Sequence, residues 1–100
     1  MIGVELGVQS GEFFESVANK WQIADLYVLV DIWATQSNYA DAANKDEIEQ
    51  LHLMNLAKKV GDKMKRNGYV KEIELCRNYT SECVHNYPDG FFDFIYVDAR

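Results

Sequence analysis

Four short apolar runs, at 2–6, 26–33, 69–76 and 91–97, alternate along the chain with segments whose apolar residues recur at helical spacing. The run Leu26-Tyr27-Val28-Leu29-Val30-Asp31-Ile32-Trp33 is almost continuously apolar and rich in β-formers, without the polar alternation of a half-solvated strand. A strand of that kind is covered on both faces. The order β-α-β-α-β-α-β therefore predicts an α/β fold: a parallel sheet with right-handed crossovers and helices on both faces. A chain of 100 residues, 48% hydrophobic and 26% charged with a single proline, fits one such domain with no disordered linker.

Local signals fill in the helices. Phe13, Phe14, Val17, Ala18 and Trp21 make the apolar face of a first helix over 11–21, opposite Glu12, Glu15, Ser16, Asn19 and Lys20. The polar stretch 34–43 has no period and reads as a loop. Asn44 followed by Glu47 has the form of a capping box, opening a second helix of about 22 residues with Leu53, Leu56, Ala57, Val60 and Met64 as its stripe. Lys63, Lys65 and Arg66 complement its dipole before Gly68 ends it. Charges interleaved with Val70, Ile73 and Leu75 mark the third strand as a sheet edge. A short third helix is expected over about 80–87, and Tyr87-Pro88-Asp89-Gly90 turns the chain into the fourth strand.

A net charge of −6 and a pI near 4.7 disfavour a nucleic acid or an anionic membrane as partner, since either would be repelled. No apolar run is long enough for a membrane span and no leader opens the chain, so a cytoplasmic location is expected. The spacing of Cys76 and Cys83 matches neither a zinc pair nor a redox motif, which leaves two free, reduced thiols. His52 and His85 read as surface residues, and no nucleophile–base order identifies a catalytic group.

In an open parallel sheet, ligands bind outside the carboxyl ends of the strands. The first strand ends Glu5-Leu6-Gly7-Val8-Gln9-Ser10-Gly11. Gly7 allows a tight turn and close backbone approach, and Gly11 allows the first helix to start against the sheet, with free N–H groups able to receive a carboxylate. This glycine order differs from that of a nicotinamide-binding loop, so a dinucleotide is disfavoured. Asp31 lies 24 positions after Gly7, near the spacing at which an acidic residue holds ribose hydroxyls in adenosine-binding folds. The structural alternative is that it caps or salt-bridges a neighbouring loop. Trp33 could cover an adenine face or simply pack.

These segments resemble class I S-adenosylmethionine-dependent methyltransferases, a Rossmann-like family. Glu5 to Gly11 is similar to the family's first motif, Val30-Asp31-Ile32-Trp33 to its second, and Phe92-Asp93-Phe94-Ile95-Tyr96-Val97-Asp98 to its fourth strand. The resemblance implies S-adenosyl-L-methionine as cofactor, with Glu5, Gly7, Val8, Gln9, Ser10 and Gly11 beside its methionine part. Asp31 would hold the ribose, Ile32 and Trp33 would border the adenine, Asn78 and Tyr79 would lie at its amino edge, and Asp98 near the sulfonium. A single carboxylate there does not imply a metal. Thr80 and Ser81 are expected to cap the third helix.

The family's sheet has seven strands and this chain supplies four, in the expected order 3-2-1-4. It thus corresponds to the cofactor-binding half, whether as a fragment, a truncated product or half of a split enzyme. The acceptor, a small molecule by this reading, is held elsewhere. The alternative is a non-catalytic nucleotide-binding or interaction domain of the same architecture. The fourth strand, apolar on both faces yet at an edge, is expected to form a homodimer or to aggregate.

Overall fold

The computed structural model describes residues 1–20, 24–35 and 46–98. Its elements are β1 (Ile2–Leu6), α1 (Glu12–Lys20), β2 (Ala24–Asp31), α2 (Glu47–Arg66), β3 (Val70–Arg77), α3 (Thr80–Cys83) and β4 (Phe94–Val97), with a 3-10 turn at Val84–Asn86. All pairings are parallel and the sheet order is β3-β2-β1-β4.

Handedness explains the layers. The chain steps from β1 to β2 to β3 in one direction, so right-handed crossovers put α1 and α2 on the same face. The return from β3 to β4 then places α3 on the other. Strand alternation agrees: Tyr27 and Leu29 pack with Phe14, Ala18, Ala57 and Met64, whereas Val28 and Val30 pack with Val4 and Cys83. Helices therefore cover both faces, as the apolar runs required, although α3 is only one turn long.

The first face is the larger core. Gly11 is buried there against α2, where a Cβ would lie 3.2 Å from the Ala57 Cα, so this glycine permits close contact with a helix rather than with the sheet. Gly61 makes a second close approach, to Ile73 of β3. Lys63 Nζ closes the α1–α2 contact on Glu15 at 2.8 Å.

Several boundaries differ from expectation, each for a local reason. The cap of α2 is Asp46, whose Oδ1 accepts from the Glu49 N–H at 2.8 Å. Glu47 is thus the first helical residue and instead accepts from the Thr35 N–H at 3.0 Å. Trp21, Asn44 and 36–43 of the polar loop lie outside the described residues. Tyr79, not Thr80 or Ser81, occupies the N-cap of α3 and makes no side-chain cap. β4 is shorter than the apolar run because Phe91 and Phe92 turn away to pack with Tyr87, at ring distances of 5.3 and 5.0 Å.

The thiol expectation is overturned: Cys76 and Cys83 form a disulfide with a Cα–Cα distance of 6.1 Å. Their separation of seven fits no metal motif, but the turn into α3 folds the chain back so that the end of β3 and the end of α3 meet. Among the described residues, no helix is long and apolar enough to cross a membrane.

Candidate functional site

β1 leads into α1 on one face of the sheet and β4 is reached from α3 on the other, so the carboxyl ends of these neighbouring strands border the position where an open α/β sheet binds ligands. The loop after β1 begins at Gly7, with φ 90°, and reaches Gly11, with φ 86°. Both values lie in the left-handed region that glycine enters without steric penalty. Gln9 between them also has positive φ, at 56°.

Asp31 holds this loop in place. Its Oδ2 accepts from the Val8 and Gln9 N–H groups, each at 2.8 Å, and its Oδ1 accepts from the Trp33 N–H at 3.0 Å. Three backbone donors, two of them buried and that of Gln9 partly so, are satisfied by one carboxylate. Trp33 adds a return contact, its indole Nε1 donating to the Gln9 carbonyl at 2.8 Å. Its φ of 43° is rare for a bulky residue and is sustained by these bonds, by full burial of the ring, and by Arg77. Arg77 donates to the carbonyls of Ile32 at 3.4 Å and Trp33 at 3.0 Å.

Glu5 lies beneath this stitched loop. It is 1% exposed, and among the described residues its Oε1 has no hydrogen-bond partner. Burial, then the neighbouring charges of Asp98 and Asp31, push its carboxyl up to about 8. The same enclosure raises the Tyr27 phenol, with the Glu5 charge adding to it. Glu5 therefore carries a proton at neutral pH, between two further carboxyl groups. Such a site attracts a cation and repels phosphates. The described residues contain no group of ligands able to hold a metal ion.

The expected site residues separate into distinct roles. Glu5, Gly7, Gln9, Asp31 and Asp98 lie near one another around the carboxyl ends of β1, β2 and β4, the Asp98 N–H donating to the Leu6 carbonyl at 2.8 Å. Val8 and Trp33 belong to the core, so the Trp33 ring presents no open face for stacking. Gly11 is enclosed by α2, and Ser10 lines a shallow depression with Glu12, Leu56, Lys59, Val60 and Lys63. Ile32 is half-buried. Asn78 and Tyr79 are exposed at the third strand end, where the Asn78 Oδ1 accepts from the Tyr79 N–H.

Sequence reasoning missed Arg77 and the disulfide. Arg77 pairs in register with Asp31 at the end of the neighbouring strand, and a basic residue closing one strand beside an acidic residue closing the next was the available signal. On the opposite face, a cavity of about 100 Å³ is lined mainly by apolar residues, including Val4, Leu6, Val30, Cys83, Tyr87 and Phe92. No protein-family model, curated protein or solved structure matches the chain.

Proposed function

We propose that the chain is the cofactor-binding portion of an S-adenosylmethionine-dependent methyltransferase acting on a small-molecule acceptor. The observation that supports it most is Glu5, a buried carboxyl whose Oε1 has no partner among the described residues, with the charges of Asp98 and Asp31 close to it at the strand ends. S-adenosylmethionine carries an ammonium and a sulfonium, charges that this acidic cluster favours. NAD and ATP carry phosphates, which it disfavours. The residues thus fit the group on charge, and the loop from Gly7 supplies close backbone approach.

When bound, the cofactor supplies an electrophilic methyl group. The chain's own residues bind and orient it: Glu5 answers positive charge, Asp31 keeps the Gly7–Gln9 backbone in shape, and Arg77 fixes the end of β2. Asp31 would serve the ribose by holding this loop in place. Transfer further needs an acceptor held in line with the sulfonium. The proposal includes a cytoplasmic location and association of two copies through β4.

A second reading, a non-catalytic nucleotide-binding or interaction domain, is favoured by one observation. Asp31 and Trp33, the residues most suited to a nucleoside, are engaged in the fold by backbone bonds and burial. Calorimetry with S-adenosylmethionine, S-adenosylhomocysteine, NAD and ATP separates the two. The expected result near pH 7 is selective binding of S-adenosylmethionine with release of a proton, because a nearby cation lowers the Glu5 pKa from about 8. Glu5→Gln should abolish that release. Binding of ATP or NAD alone, or of none of the four, would reject the methyltransferase reading.

A further inference from the structure

The Cys76–Cys83 disulfide closes the loop 77–82, which contains Arg77, Asn78 and Tyr79 at the third strand end. We propose that this pair is a reversible redox site that sets the order of that loop and of the short helix α3 formed within it.

Three observations place the control there. First, α3 spans only Thr80–Cys83 and its N-cap makes no side-chain bond, so the helix has little local stability of its own. The disulfide ties its last residue to β3. Second, polar groups flank both sulfurs of the disulfide. The Cys83 Sγ lies 3.5 Å from the Cys76 carbonyl, an acceptor for a reduced thiol, and the Asn86 amide donates to the Cys76 Sγ at 3.6 Å. Third, the two cysteines differ in burial. Cys83 is 2% exposed within the apolar cluster of Val4, Val28 and Val30, whereas Cys76 is half-buried on the edge strand β3.

The exchange uses a dithiol reductant. One thiolate attacks the Cys76 sulfur, the sulfur–sulfur bond breaks, and Cys83 leaves as a thiolate that takes up a proton. The second thiol of the reductant attacks the mixed disulfide, Cys76 is released as a thiol, and the reductant departs as its own disulfide. Two electrons and two protons pass to the protein. Freed of the tether, 77–82 fluctuates and Arg77 loosens its hold on the carbonyls of Ile32 and Trp33. Reduction would then weaken the site, a consequence that rests on the proposed cofactor reading.

The test equilibrates the full chain with oxidised or reduced dithiothreitol, then measures iodoacetamide labelling by mass and hydrogen exchange over 77–87. The expected result is no labelling after oxidation and two labels after reduction. Exchange over 77–87 should rise about tenfold or more on reduction, the scale of a lost short-loop tether. Cys76→Ser combined with Cys83→Ser should match the reduced parent. Two labels without reductant, or exchange unchanged by reduction, would overturn the inference. S-adenosylhomocysteine should bind the oxidised chain more tightly; equal affinity in both states also overturns it. Absence of binding in both states rejects the cofactor reading, while the exchange measurement still decides the redox site.

Discussion

At the scale of single residues, an enclosed carboxyl makes folding depend on pH. Glu5 is raised from an ordinary value of 4.5 to about 8, so between those limits the folded chain keeps a proton that the unfolded chain has lost. Its stabilising balance is fully present below the lower value, declines as pH rises, and levels off above the upper one. Glu5→Gln should therefore be more stable than the parent above pH 8, by an amount on the order of a few kcal/mol, and comparable to it near pH 4.5. Thermal melts across pH check this; a parallel pH profile for the two proteins would contradict it. Asp31 gives a different result because its role is to satisfy the Val8, Gln9 and Trp33 N–H groups. Asp31→Ala should lower stability by roughly 2 to 4 kcal/mol in urea, from buried donors left unpaired, as well as weakening S-adenosylhomocysteine by about 1.5 to 3 kcal/mol. An unchanged urea midpoint would leave it with a ligand role only.

At the scale of elements, the strands were the legible part, because β2 needed apolar residues for both faces and its sequence shows them in an unbroken run from Leu26 to Val30. The glycine loop and Asp31 were legible as neighbours for the same topological reason. Three-dimensional returns were not. Nothing in local spacing distinguishes a Trp33 that offers a face from one whose Nε1 reaches the Gln9 carbonyl, and the Cys76–Cys83 contact exists only after 77–82 has folded back. The α2 start shows how close competing signals can lie: Asn44 with Glu47 imitates a capping box, yet Asp46 supplies the cap to Glu49. Asp46→Ala should accordingly cost about 1 kcal/mol. Circular dichroism during urea unfolding would measure it, and a midpoint equal to the parent's would place the cap elsewhere.

At the scale of the whole molecule, the two sheet edges are treated differently. β3 carries Lys71, Glu72, Glu74 and Arg77, charges that discourage pairing with another chain. β4 reads Phe94-Ile95-Tyr96-Val97 and carries none. The acidic residue that precedes it does not guard the outer edge either, because the Asp93 carboxylate accepts from the Ile2 N–H on the β1 side at 2.8 Å. One face of β4 is protected where Phe13 stacks on Tyr96, with ring centroids 3.8 Å apart. On the other, Ile95 and Val97 are 57% and 65% exposed beside an equally open Val84. An interface formed by the same patch on two copies must be self-complementary, and a short apolar strand meets that condition by pairing with itself. The expected state is therefore a homodimer through β4, with Ile95→Lys shifting it to monomer by placing a charge in the exposed row. Light scattering at about 100 μM, in the range where exposed edges associate, checks this. A monodisperse monomer of the unmodified chain would show that backbone groups on the β4 edge are satisfied without a second strand.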